Sequence, residues 1–304
     1  MITKNIFIFL LAISTLLVHT TSAKAQSWKR YRKEHVYMLG ATNFLGDLGG
    51  ANQTGRHLAQ DLDFISTRSA IGFAYRYRMS KQFYVKGFTQ VGILKGSDRF
   101  TADVFRSNRN LNFRSPIVEI GGVVEYMISK EKAGHRYNIK KAKGFKALSL
   151  QNYVFVGIAG IFFNPQGFYD NKWHNLHELH TEGRGTSLDT LYNKNYSRIG
   201  LAIPFGIGTK YGINRYYQIG AELGFRKVFT DYIDDVSRNY VDRTYLANNY
   251  GTTAAALSDP SKNPANNYTA AGQQRGQPKY KDNYLFFMVT LTRKIMPHRT
   301  KAKF

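Results

Sequence analysis

Three histidines, His174, His177 and His180, recur at every third position with Glu178 between them and Glu182 beside them, and imidazole with carboxylate is a donor set that suits zinc. On a helix they cover an arc of about 120°, and on a strand they alternate faces, so neither form aims all three at one ion. Asp231, Asp234 and Asp235 offer oxygen ligands to calcium, yet the segment lacks the spacing and central glycine of an EF-hand. Turn and cap hydrogen bonds account for such a run more simply. Glu119 and Glu125 form a carboxylate pair of the type used in acid–base catalysis, which requires one of the two to be held protonated. Gly206-Ile207-Gly208 is similar to a fragment of a phosphate loop, but small residues alternating with Phe205, Ile207 and Thr209 read equally as the inner face of a strand. Nothing links a serine to a histidine and an acid. The expectation is a protein without catalytic residues, bound metal or cofactor, and the function turns on the elements that carry these side chains.

The first of those elements sets the compartment. Lys4, an apolar run from Ile6 to Val18, and Ala23-Lys24-Ala25 have the order of a secretory signal, with cleavage expected after Ala25. That run is too short to span a bilayer, which takes roughly 20 apolar residues, and no later stretch approaches that length. A membrane protein built from the rest must use strands. The chain holds 21 Tyr, 21 Phe and 27 Gly, a mixture suited to short strands with aromatic girdles and small inner residues. Cysteine is absent, which excludes disulfides, thiolate metal sites and lipid attachment at a signal-sequence cysteine.

Eight segments alternate with period two: Val36 to Phe44, Ser69 to Met79, Phe83 to Leu94, Phe113 to Ile128, Asn152 to Phe163, Ile199 to Tyr211, Tyr216 to Phe229, and Tyr284 to Lys294. Each supplies the roughly 9 to 11 residues of a tilted membrane strand. In the second, Ile71, Phe73, Tyr75 and Tyr77 share one face while Ala70, Gly72, Ala74, Arg76 and Arg78 share the other. A cation on the lipid face near the midplane costs about 2 to 4 kcal/mol, so the second set points inward. The same parity turns Arg76, Lys86, Gln90, Glu119, Glu125, Lys210, Glu222 and Arg226 into the lumen, where eight strands leave only enough width for side chains. The expected fold is all-β, an eight-stranded antiparallel transmembrane β-barrel of OmpA or OmpX size with long extracellular loops and ion pairs within. Its expected divisions are a signal peptide (1–25), a basic periplasmic segment (26–35), the barrel (36–295) and a basic periplasmic tail (296–304).

The formal charge of +23 becomes +21 once Lys4 and Lys24 leave with the signal peptide. An even strand number puts both ends in the periplasm, and three basic clusters fall on that side. They are Lys29, Arg30, Arg32 and Lys33; then Lys130, Lys132, Arg136, Lys140, Lys141, Lys143 and Lys146; then Arg293, Lys294, Arg299, Lys301 and Lys303. Set against Glu34 and Glu131, these sixteen cations place +14 on one rim. Inner-leaflet head groups suit such a rim, and so does a docking partner. Nucleic acid does not fit a secretory address.

Several segments resemble the PorG-type barrels of the type IX secretion system. They are Gly40-Ala41-Thr42-Asn43-Phe44-Leu45-Gly46-Asp47-Leu48, Phe113-Arg114-Ser115-Pro116 with Glu119, Gly134-His135-Arg136-Tyr137, Phe162-Phe163-Asn164-Pro165 and Thr181-Glu182-Gly183. The longest runs from Gly224 to Ser237 and includes Thr230, Asp231, Tyr232, Asp234 and Asp235; Gly272-Gln273-Gln274-Arg275-Gly276 with Asp282 and Tyr284 completes the set. The resemblance implies a non-enzymatic outer-membrane component that anchors or assembles the periplasmic ring of that machine, with PorK/PorN-like partners, a ring lipoprotein and a ring protein, on the basic rim. A structural barrel or small passive channel without a dedicated partner is the alternative. The histidine repeat is no part of the resemblance.

Overall fold

The computed structural model describes residues 31–46, 48, 66–101, 103–129, 150–189, 195–214, 216–263, 267–279 and 281–295. Eight long strands form one antiparallel sheet: β1 (Lys33–Leu45), β2 (Arg68–Arg78), β3 (Phe83–Ser97), β4 (Asn112–Met127), β5 (Leu150–Phe163), β8 (Ile199–Gly212), β9 (Tyr217–Val228) and β10 (Asn283–Ile295). A short hairpin, β6 (Gln166–Tyr169) and β7 (Lys172–Asn175), joins β4 through Arg114 and Gln166. The sheet closes because β1 pairs with β10 while β3 pairs with β4, so no long strand is left as an edge. The fold is an eight-stranded, closed, antiparallel β-barrel.

All eight expected segments are strands, with ends that differ by a few residues. The shift at the start of β1 has a consequence. Glu34, expected in the basic periplasmic segment, lies within the strand and shares the parity of Val36 and Met38, so it points into the lumen. It is an inner counter-ion, not part of the rim.

Alternation holds around the wall. Leu39, Ile71, Ile120, Ile158 and Leu201 are each more than 60% exposed, whereas Glu119, Glu125 and Arg76 are at most 1% exposed. A soluble protein buries the first kind of residue and exposes the second. The reversal, on a closed barrel whose backbone groups are paired strand to strand, is the solution a bilayer demands. The protein is an outer-membrane β-barrel. No described helix is long and apolar enough to cross a membrane.

The two ends of the barrel differ. At the end where β1 begins and β10 finishes, β2 and β3 are joined by residues 79–82, with Ser80 Oγ accepting from the amides of Gln82 and Phe83. Between β8 and β9, Asn214 accepts from the amides of Tyr216 and Tyr217. Side-chain oxygens that mimic a backbone turn are what such short connections need, and short turns mark the periplasmic end. The opposite, outer end carries α1 (Val104–Arg109), α2 (Leu176–Leu179), α3 (Arg243–Tyr250) and α4 (Thr252–Ser258). Beneath them Phe44, Leu94, Phe113 and Phe163, at the outer ends of four strands, are all at most 2% exposed and form an apolar layer across the mouth.

Candidate functional site

The lumen is filled by charge in two groups. In the first, Arg76 donates to Glu34 (3.3 Å), Glu125 (3.1 Å) and Glu222 (3.2 Å), joining β1, β4 and β9 from its place on β2. Lys86 reaches Glu222 at 2.7 Å and Glu125 at 3.1 Å. Tyr153 donates its hydroxyl to Glu222 at 2.6 Å, and Lys210 lies 3.9 Å from Glu34 with its ammonium over the Tyr84 ring. In the second, nearer the outer end, Arg226 donates to Glu119 (3.1 Å) and Gln90 (2.8 Å), and the Tyr284 hydroxyl donates to the same Glu119 (3.0 Å). Four carboxylates thus face four cations. Buried charges persist only when paired and hydrogen-bonded, and this balance meets the condition.

Small residues make the room. A Cβ on Gly208 would collide with the Tyr153 ring, which passes from β5 over that position of β8 to reach Glu222 on β9. The Gly-Ile-Gly stretch of β8 therefore serves packing, with Ile207 outward and 59% exposed.

Over the outer mouth, segments far apart in the chain form a second buried network. Glu182 accepts from the amide of Ser237 (2.9 Å), the amide of Arg238 (3.1 Å) and Arg275 Nη1 (3.0 Å). Arg275 also donates to the carbonyls of Asp235 (2.6 Å) and Ser258 (3.1 Å). The Asp235 carboxylate accepts from Thr181 and from the Tyr196 hydroxyl, the latter at 2.6 Å. Asp231 accepts from Ser237, Asp234 from the amides of Leu48 and Val236, and Asp282 from the amide of Ile233. Burial pushes the Asp235 carboxyl up to about 6 against the pull of Arg275. Burial alone would lower the Arg275 guanidinium, but Glu182 and Asp235 hold it above its ordinary value. The Tyr196 hydroxyl is raised well above its ordinary value by burial and by Asp235.

Thr181, Glu182, Gly183, Asp231, Tyr232, Asp234 and Asp235 are thus brought together, and Thr230, two residues past the end of β9, precedes Asp231 in the chain. Gly183 adopts φ +67°, a conformation that favours glycine. Gly46 packs against the Phe44 ring and Asp282. Asp47 lies outside the described residues. The sequence reading missed Arg275, Ser258 and Tyr196 as members of this network, and Gly272 to Gly276 was the available signal for the first.

The histidines do not converge. His177 bonds the Tyr196 carbonyl at 2.9 Å and His180 the Arg184 carbonyl at 2.7 Å, each with a tyrosine ring against it. Among the described residues no group of three His, Asp or Glu side chains could hold a metal ion. Glu119 and Glu125 are engaged by separate cation groups, and neither shares a proton site with the other.

A sequence profile described as "Domain of unknown function (DUF6089)" matches residues 5–256, most of the chain. The chain belongs to the DUF6089 family. No curated protein matches it in sequence. Among solved structures, this DUF6089 barrel is similar to Ail, the attachment invasion locus protein of Yersinia pestis, with 8% identity, 87% of this chain and 99% of that chain covered, and a TM-score of 0.35. It is also similar to the outer membrane protein OprG from Pseudomonas aeruginosa (8% identity, 88% and 98% covered, TM-score 0.36). A major outer membrane protein from Thermus thermophilus gives 11% identity, 86% and 99% covered, and a TM-score of 0.36.

Of the sixteen rim cations, Arg32, Lys33, Arg293 and Lys294 lie among the described residues. Arg32 donates to the Tyr77 hydroxyl (3.2 Å) and Lys33 is exposed at the start of β1. Lys29, Arg30, Lys130, Lys132, Arg136, Lys140, Lys141, Lys143, Lys146, Arg299, Lys301 and Lys303 lie outside the described residues, as do the expected signal peptide and the tail 296–304.

Proposed function

We propose that this chain is a non-enzymatic structural barrel of the outer membrane, sealed along its axis and held in lipid by its wall. The observation that carries this is the lumen itself, where four cations and four carboxylates bond across the width under an apolar layer. A pore needs a continuous water column, and paired charges with packed rings take its place. Reconstitution into planar bilayers tests the reading. No discrete conductance is expected across the membrane, and stepwise single-channel currents would overturn it in favour of a passive channel.

The finer reading is a tether for the periplasmic ring of type IX secretion, with PorK/PorN-like partners. What favours it is the cation surplus on the periplasmic side of the sequence, +15 now that Glu34 belongs to the lumen, together with the PorG-type segments. Those segments contribute unequally. Thr181-Glu182, Asp231 to Asp235, Arg275 and Asp282 build the cap at the outer end, away from any periplasmic partner, so they speak for kinship in fold. Docking rests on the basic rim alone. Reversing Lys130, Lys132, Lys140, Lys141 and Lys143 to Glu should leave the barrel inserted and lower recovery of the ring; unchanged recovery would count against the tether.

A further inference from the structure

We infer that Lys95 and Arg114, on the lipid-facing side of β3 and β4, form a binding site for the phosphate head group of an anionic outer-leaflet lipid.

The two stand directly opposite each other in the β3/β4 ladder. Their neighbours Leu94 and Phe113 are 0% exposed and fill the lumen, so by alternation Lys95 and Arg114 face outward with Ile93 and Pro116. Like charges directly opposite destabilise a ladder, and cations on the lipid face are tolerated only near an interface. Among the described residues no carboxylate pairs with either side chain. An anion from elsewhere satisfies both charges at once.

Height identifies the source. On the same two strands, Phe83 and Tyr126 face each other at the periplasmic end with ring centroids 5.2 Å apart, the aromatic pair expected at that interface. Lys95 and Arg114 lie twelve residues farther along both strands. At roughly 3.3 Å per residue and a tilt near 40°, that is about 30 Å along the membrane normal. The apolar band of such barrels is about 25 Å tall, so the cation pair emerges just above it, at the level of lipid phosphates.

Arg114 is also pre-oriented. Its Nε donates to Gln166 Oε1 at 2.8 Å, and its guanidinium lies over the Trp173 ring at 4.3 Å. Both partners come from the β6/β7 hairpin, which explains why that hairpin flanks β4. With Nε occupied and one face stacked, the two terminal nitrogens remain to form the planar fork that matches a phosphate, and Lys95 adds a point charge beside it. Phe168, 43% exposed and 5.2 Å from Trp173, continues the aromatic surface beside the site.

Native mass spectrometry of the purified full-length barrel in detergent tests the inference, with diphosphorylated lipid A, dephosphorylated lipid A, phosphatidylcholine and inorganic phosphate as probes. The phosphorylated lipid should remain bound at activation energies that strip the other two lipids. Lys95→Gln and Arg114→Gln should each lower its retention about tenfold, the loss of one charge-assisted contact. Lys227→Gln, an outward cation on β9 opposite Ile203 and Asn283, should leave retention unchanged. The heat-dependent gel mobility of folded barrels confirms that each variant is folded. Equal retention of lipid A with and without phosphate by the unaltered protein overturns the site. So does equal retention by the double variant, and displacement by millimolar inorganic phosphate would reassign it to the free ion.

Discussion

Arg275 and Glu182 are separated by 93 positions in the chain and meet at 3.0 Å, with side chains 1% and 3% exposed. The contact fastens the connection between β5 and β8 to the one between β9 and β10, and through the carbonyl of Asp235 it also ties the two ends of the latter together. A cap made of loops has no ladder of its own, so this bond and its neighbours do for the loops what strand pairing does for the wall.

Removing the guanidinium should therefore free the cap without opening the barrel. Arg275→Met leaves Glu182 and Asp235 buried with their main counter-charge gone, a change that costs about 3–5 kcal/mol when a buried pair is broken. Protease added outside intact cells should then cut within 181–189 or 258–276, while the strands stay protected. Unchanged resistance to cleavage would show that the apolar layer beneath holds the cap by itself.

The cap should also respond to pH, tightening as acid is added. Burial raises the folded-state Asp235 carboxyl to about 6 from an ordinary 3.8, so the folded cap binds more protons than the open one between those values. Stability is then greatest below about pH 4, falls as pH rises toward 6, and is level above that, by roughly 3 kcal/mol in total for two pH units of displacement. Protection of the outer loops from protease should be stronger at pH 5 than at pH 7.5. Asp235→Asn should give strong protection at both, and a slope that persists in that variant would place the titrating group elsewhere.

The wall was legible because lipid imposes period two on every strand, which is why Ile71 to Arg78 sort directly into outer and inner faces. Glu34 was missed since it follows Lys29 to Lys33 and looks like part of a charged tail, whereas strand parity with Val36 decides its direction. The hairpin of β6 and β7 was missed because four residues are too few to show a period. The cap is not legible because Glu182 comes from one connection, Asp235 and Arg275 from widely separated parts of another, and no repeat links them; the aspartates after β9 look like turn acceptors, and Asp234 does accept from the backbone of Leu48 and Val236.

Glycine in the lumen gives a sharper test of packing. Gly208→Ala drives a methyl into the Tyr153 ring, so the ring must turn away from Glu222. Overpacking of this kind costs about 1–3 kcal/mol, and the midpoint of urea unfolding followed by gel mobility should fall accordingly. Tyr153→Phe combined with Gly208→Ala should add little to either change alone, since both break the same bond. Full additivity would mean that the ring stays in place and the strand moves instead.

The charge network can be separated from the packing around it by comparing two variants. Glu222→Ala takes from Lys86 its closer carboxylate, leaving it to share Glu125 with Arg76, and removes the acceptor of Tyr153, so four buried cations face three carboxylates and the unfolding free energy should drop by about 3–5 kcal/mol. Lys86→Met with Glu222→Leu removes one charge of each sign and refills the space with apolar side chains, a replacement often neutral or better in buried sites. The double variant should therefore be more stable than Glu222→Ala alone and equally silent in planar bilayers. If the double variant were the less stable, the network would contribute more than its own neutralisation, and if it conducted, the seal would reside in these charges and not in the volume they occupy.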